Sequence, residues 1–271
     1  MKTRIITAAV LIPVLLLLLM VAPTIVTAIV WGVLLAIGAY ELLYSTGLVR
    51  EPRLVVHAAV MAFAVTIWSH YGSLHAYGLI GLMIFMAALF AEMMLSHVKI
   101  TFDKICMCIV AGFVIPFLLG SLIRILIMSR VGRYMVLIPF IVAFGSDAGA
   151  YFAGRFFGQH KLAPVISQHK TIEGAVGGVI SAVVLLLVYC IVLQFAFDFE
   201  VKYLFAVIYG LIGSLVGVFG DLCFSVIKRQ TGIKDYGNLI PGHGGVLDRF
   251  DSMMMVGPLM EALLILIPLA V

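Results

Sequence analysis

Apolar residues run through this chain in long stretches, broken by short polar interruptions. Crossing a hydrocarbon core takes about 20 apolar residues of helix. Nine stretches approach or reach that length: 5–22, 24–44, 54–70, 76–96, 105–128, 134–154, 172–197, 203–227 and 250–270. The pattern predicts an all-α polytopic membrane protein of about nine transmembrane helices. Between them the chain has no segment large enough for a soluble domain and no low-complexity linker. The longest polar insertions are 155–171 and 228–249. The first stretch follows Met-Lys-Thr-Arg and has the outline of a signal peptide. No clear small-x-small cleavage site follows it, and it is long enough to span, so it is expected as a retained first helix.

Composition agrees with this pattern. The chain is 64% hydrophobic and 11% charged, with a mean hydropathy of +1.22. A soluble domain is about 45–50% apolar. The net charge of +4 matters less than where the charges fall. With the N-terminus in the cytoplasm, only Arg124, Arg130, Arg133 and Lys202 of the seventeen Lys and Arg lie on the far side. The positive-inside rule therefore gives a cytoplasmic N-terminus, an opposite C-terminus and cytoplasmic insertions. The Arg124–Arg133 cluster is the exception. Cys106, Cys108, Cys190 and Cys223 all lie in apolar runs without a C-x-x-C pair and read as packed thiols.

Chemistry-bearing residues are unevenly spread. Residues 1–132 read as N-terminal transmembrane helices serving as scaffold or as lipid or dimer contacts. There Glu41 and Glu92, near cytoplasmic helix ends, read as interfacial or paired carboxylates. Residues 133–271 read as the catalytic transmembrane region. No internal repeat is evident, which weakens a secondary-transporter reading.

The densest cluster is DLCFSVIKRQTGIKDYGNLIPGHGGVLDRFD, residues 221–251. Charge at a membrane boundary is costly and asks for a function. Asp221, Ser225 and Lys228 follow at four- and three-residue spacing and share one helix face. That places Asp221 roughly 10 Å inside the helix end. A structural Asp–Lys pair is the plainer alternative. Gly210, Gly213, Gly217 and Gly220 form a small-residue stripe for close helix packing. Asp248 and Asp251, three apart at the start of the last span, would point the same way if helical. Simple helix capping is the alternative there. Arg249 between them points elsewhere, to phosphate or a lipid headgroup. In the PGHGG run, glycines let backbone N–H groups approach an anion, and His243 is placed to hydrogen-bond a phosphate.

A second cluster runs from Phe144 to Gly178. It holds Ser146 and Asp147 in an apolar helix, then Arg155, Lys161, His169 and Lys170 in the polar insertion. Thr171 reads as a helix cap, and Lys161 and Lys170 also satisfy the positive-inside rule. If their helix ends converge, Asp147, Asp221, Asp248 and Asp251 would form an oxygen-rich cage suited to Mg²⁺. The neighbouring Lys and Arg would neutralise a polyphosphate.

The run from Ser225 to Asp251 resembles the defining motif of the phosphatidate cytidylyltransferase (CDP-diacylglycerol synthase) family. The matching positions are Ser225, Lys228, Arg229, Lys234, Asp235, Pro241, His243, Gly244, Gly245, Asp248, Arg249 and Asp251. The SDAGAYFAGR and HKTIEGAVGG runs resemble the family's second block, and length and span count suit its full-length bacterial form. The resemblance implies cytidylyl transfer from CTP to phosphatidate, giving CDP-diacylglycerol and pyrophosphate in phospholipid biosynthesis. It implies Mg²⁺, with a second cation such as K⁺, and Asp221 and Asp248 as metal ligands; the chemistry of the residues adds Asp147 and Asp251 as assisting acids. Lys228 and Arg229 would join the catalytic set. Ser225, Lys234, His243, Gly244, Gly245, Arg249, Lys161 and Lys170 would bind phosphates. A homodimer in the bacterial cytoplasmic membrane, surrounded by lipid and without nucleic acid, completes the implied picture. A CTP-dependent lipid kinase is the nearest rival and a transporter the more distant one.

Overall fold

The computed structural model describes residues 2–72, 75–97, 99–242 and 244–270, without side-chain placement for 2–6, 8 and 75. Most of the described residues are helical, with one short hairpin and a non-helical segment over 231–242 and 244–246. The chain forms α1 (Lys2–Met20), α2 (Thr24–Ser45), α3 (Pro52–Tyr71), α4 (His75–Leu95), α5 (Phe102–Met128) and α6 (Gly132–Phe157). Strands β1 (Lys161–Ala163) and β2 (Ser167–Thr171) pair antiparallel, Lys161 opposite Thr171. Then come α7 (Ile172–Phe197), α8 (Tyr203–Gln230), the single turn α9 (Leu247–Phe250) and α10 (Met253–Leu266). Seven helices, α2 to α8, are long and apolar enough to span a membrane among the described residues. The protein is thus an integral membrane protein of helical, polytopic build.

One expected span, the last, comes out shorter. The first span is matched by the 19 residues of α1, and the last contributes only the 14 residues of α10. At 1.5 Å per residue α10 rises about 21 Å, short of the roughly 30 Å hydrocarbon core. Its limits have local causes. Asp251 and Ser252 form a turn before it, and Pro268 disfavours helix at the residue before it, so the helix stops at Leu266.

The chain divides into two compact units. The first holds residues up to Arg133 together with Lys228–Phe250. Its centre is the packing of α2 on α3, through Ala28, Trp31, Leu35 and Ala39 on one and Leu54, Ala58, Ala62 and Val65 on the other. Small residues set the spacing. A Cβ on Gly112, in the π-helical turn Val110–Val114 of α5, would meet the Ala58 backbone at 2.9 Å. Lys104 pairs with Glu51 and holds its carboxyl below the ordinary 4.5, outweighing the opposing effect of burial. Glu92 is paired as the sequence suggests, with Arg53 at 3.7 Å and His57 at 3.8 Å.

Two of the arginines that break the charge rule, Arg124 and Arg133, have partners in this unit. Arg133 donates to the carbonyls of Leu19 (3.3 Å), Met20 (2.7 Å) and Ala22 (2.9 Å), where α1 ends. The Leu19 and Met20 carbonyls are ones a helix C-terminus leaves without internal donors. Arg124 donates to the Phe117 carbonyl and Ser69 Oγ and lies over the Phe117 ring at 4.7 Å.

The second unit comprises Tyr134–Ile227 and Asp251–Val271. Here α6 and α7 lie close along much of their length. A Cβ on Gly178 would come within 2.8 Å of the Ser146 carbonyl, and one on Gly174 within 2.9 Å of the Ala150 carbonyl. The α8 glycine stripe behaves as its spacing suggests. Gly210 faces Val183, Gly213 faces Val142 and Met260, Gly217 faces Val256, and Gly220 faces the Asp251 carbonyl. Helices in lipid gain no hydrophobic drive against one another, so such close packing is what holds them.

Candidate functional site

Two carboxylate–lysine clusters form, one in each unit.

In the first unit the chain from Lys228 to Phe250 folds around Asp248, which is 6% exposed. Asp248 Oδ2 accepts from the backbone N–H of Tyr236 (2.8 Å) and of Gly245 (3.0 Å). Its Oδ1 accepts from Lys228 Nζ at 3.0 Å. The side chains of this pair are 2% and 14% exposed. A buried carboxylate needs such donors, since an uncompensated charge out of water is costly. Tyr236 is fully buried, and the Lys228 ammonium lies 5.4 Å from its ring centroid. Trp31 packs edge-on against Phe250, centroids 4.7 Å apart.

A residue that the sequence reading set aside completes this cluster. Glu41, in the π-helical turn Glu41–Ser45 of α2, is 3% exposed rather than interfacial. Its Oε1 accepts from Val246 N (3.0 Å) and its Oε2 from Leu247 N (3.1 Å). Three consecutive amides, Gly245, Val246 and Leu247, thus point at two protein carboxylates. The glycines acquire a different meaning. A Cβ on Gly245 would lie 2.5 Å from Glu41 Oε2, and one on Gly237 2.5 Å from Oε1. Gly244 has φ +86°, and a Cβ there would meet Asp248 Oδ2 at 2.8 Å. Gly244 and Gly245 make room for carboxylates of the protein, and the Gly245 amide is spent on Asp248. His243 lies outside the described residues.

In the second unit Asp221 pairs with Lys170 and accepts from Ser225 Oγ at 3.3 Å. Its side chain is 22% exposed. Lys170 is delivered by β2, and the hairpin is held at both ends. Lys161 Nζ donates to the Gln168 carbonyl at 2.8 Å. Glu173 accepts from Gln159 N (3.1 Å) and His160 N (3.2 Å) and contacts His160 Nδ1 at 2.6 Å. Thr171 caps α7 as expected, accepting from Gly174 N. The Asp–Lys pairing anticipated within α8 is therefore replaced by two pairs with other partners, Lys170–Asp221 and Lys228–Asp248.

Other expected positions are placed less closely. Asp147 lies exposed on α6, and Arg229, Lys234 and Arg249 are exposed. Asp248 and Asp251 do not share a helix face. The turn holding Asp248 ends at Phe250, and α10 begins at Met253. Asp251 Oδ1 instead accepts from Ser252 N at 2.8 Å.

Among the described residues, no three His, Cys, Asp or Glu side chains gather as a metal site. The donors still fit Mg²⁺, which is usually held by one or two carboxylates, waters and substrate phosphates. Asp221 is accessible, and its partner is a flexible ammonium. Asp248 Oδ1 has a lone pair left after Lys228.

Comparison with known proteins agrees with this chemistry. A model of the cytidylyltransferase family matches residues 2–267. Proteins named phosphatidate cytidylyltransferase are similar in part. Those of Staphylococcus haemolyticus (strain JCSC1435) and Staphylococcus saprophyticus (strain ATCC 15305) are each 47% identical over 134 residues, 49% of this chain. The match spans about half the length of these two relatives (50%). That of Bacillus subtilis (strain 168) is 36% identical over 185 residues, 66% of this chain and 67% of its own length. With the family model matching almost from end to end, the chain belongs to the cytidylyltransferase family.

Proposed function

We propose that this protein is a phosphatidate cytidylyltransferase, transferring the cytidylyl group of CTP to phosphatidate and releasing pyrophosphate. The observation that carries the reading is the pair of lysine–carboxylate clusters, Lys228–Asp248 and Lys170–Asp221, in a membrane-spanning member of the cytidylyltransferase family.

The reaction needs little covalent help. A phosphate monoester has its second pKa near 6 and is already an anionic nucleophile near neutral pH. A phosphate oxygen of phosphatidate attacks the α-phosphorus of CTP, and the bond from that phosphorus to the bridging oxygen breaks. Pyrophosphate leaves with the electron pair. The difficulty is electrostatic, because two anions must meet and a third must depart.

Each cluster offers an ammonium beside a carboxylate. Lys228 and Lys170 turn toward phosphate oxygens when a polyphosphate arrives, and Asp248 and Asp221 are then released as ligands. In each unit one carboxylate, Asp221 or Asp248, would be available to hold Mg²⁺, which when bound would supply charge neutralisation on the phosphates. Ser225 orients Asp221. Arg229, Lys234 and Arg249, exposed in or beside the polar insertion, contribute positive potential that draws in anionic substrates. A metal–nucleotide substrate needs acids for the cation and bases for the phosphates, and each cluster holds both.

The reading extends to a homodimer in the bacterial cytoplasmic membrane with its polar insertions in the cytoplasm. The distribution of Lys and Arg supports that orientation. It is tested with purified protein in detergent, phosphatidate and CTP. CDP-diacylglycerol should form with Mg²⁺, stop with a chelator, and be absent with Asp221→Asn. Lipid product formed at the wild-type rate by Asp221→Asn would remove that residue from the site.

A further inference from the structure

We propose that Glu41 is a positioning residue for the segment that carries Asp248. Its two oxygens take up the Val246 and Leu247 amides, immediately before Asp248, while Asp248 takes up the Gly245 amide. The three amides are fixed by two acids more than 200 positions apart in the chain, the Glu41 contacts spanning 205 and 206 residues. Both acids are almost fully buried. Without Glu41, two of those amides would lose their acceptors, and the turn preceding Asp248 would lose its reference to α2.

Three features point the same way. Gly245 and Gly237 leave the space that the Glu41 carboxylate fills, so the insertion is shaped around this side chain. Leu247 packs over α2, where a Cβ on Gly38 would meet its Cδ2 at 3.1 Å. The carboxylate also leaves α2 at a π-helical turn, a departure from α-geometry often found at functional sites. Among the described residues Glu41 bonds to backbone amides, so its effect on the reaction runs through Asp248 and Lys228. This part of the inference rests on the cytidylyltransferase reading; the bracing of the insertion does not.

The test uses Glu41→Gln, with Glu41→Asp as the shorter acid. The amide keeps size but turns one acceptor into a donor facing a backbone N–H. Misplacement of reacting groups by about 1 Å costs up to about a hundredfold. The expected result in Glu41→Gln is therefore a kcat roughly ten- to a hundredfold lower, with the KM for CTP within about threefold of wild type. Glu41→Asp should recover part of kcat. The second readout needs no activity: trypsin cleavage after the exposed Lys234, which should be faster in Glu41→Gln. Gly245→Ala should reproduce the accelerated cleavage, and adding it to Glu41→Ala should increase cleavage little further, because the clash partner is gone.

An unchanged kcat alongside faster cleavage would show a brace without a role in positioning and overturn the proposal. A fall in kcat with unchanged cleavage would mean that Glu41 acts on the reaction directly, and would also overturn it. If the wild-type protein transferred no cytidylyl group, the functional reading would fail, and the proteolysis arm would still decide whether Glu41 holds the insertion.

Discussion

Replacing Asp248 with asparagine should damage the fold of the first unit as well as the chemistry. The side chain makes three hydrogen bonds, two from backbone amides at 2.8 and 3.0 Å and one from Lys228 at 3.0 Å. An asparagine can keep both backbone donors by placing its amide oxygen at the Oδ2 position. Its NH₂ group then faces the Lys228 ammonium, donor against donor, on a side chain that is 14% exposed. A hydrogen bond to a charged group is worth about 1.5–3 kcal/mol, and breaking a buried ion pair costs about 3–5 kcal/mol. Because Lys228 keeps some access to water, a loss of about 2–4 kcal/mol is expected.

Lys228→Met is the companion variant. It leaves Asp248 charged but still bonded to two amides. The double variant removes both charges, so the coupling between the two sites should be about 1.5–3 kcal/mol. Unfolding in mixed micelles, followed by tryptophan fluorescence, reads the correct unit, because Trp31 and Trp68 both lie in it and the chain has two tryptophans. The double variant should recover stability relative to Asp248→Asn without recovering turnover. A coupling below about 0.5 kcal/mol would refute the pair. Recovered turnover would make the role of Asp248 purely structural.

Asp221→Asn should abolish lipid product while shifting the unfolding midpoint little, since Asp221 is part-exposed and its ion-pair partner Lys170 has access to water; both are read on one preparation. Arg133→Ala removes three bonds to the end of α1 and should cost about 1–3 kcal/mol, seen as a lower midpoint by tryptophan fluorescence. Glu51 titrates below its ordinary 4.5 because of Lys104. Its contribution to stability is therefore complete above that value and lost as pH falls through the lowered one. Lys104→Met should flatten this loss in an acid series of unfolding midpoints, and an equally steep loss in the variant would refute the assignment.

Much of the fold is legible in the sequence because lipid imposes a length on apolar helices, and seven of the expected spans meet it. The glycine stripe of α8 is legible for a related reason: only small residues at helical spacing allow the approach to Val183, Val142 and Val256. The end of the chain misleads, because an apolar run from 250 to 270 hides the turn at Asp251–Ser252 and the stop before Pro268.

In the candidate site, residue types could be read but their partners could not. Helical spacing suggests Asp221 with Lys228. The fold pairs Asp221 with Lys170 through a hairpin and Lys228 with Asp248 across 20 residues. Glu41 carries the weakest signal of all, a lone acid at the end of an apolar span, because its partners are about 205 residues away. The glycines of PGHGG suggest close approach to an anion. The anions approached are Asp248 and Glu41, which no local pattern reveals.

The most direct measurement of the central claim is transfer of label from CTP to phosphatidate by the purified protein with Mg²⁺, using CTP labelled at either the α- or the γ-phosphate. Cytidylyl transfer predicts α-label in the lipid and γ-label released as pyrophosphate. Label from the γ-phosphate in the lipid would contradict it and make the protein a CTP-dependent lipid kinase.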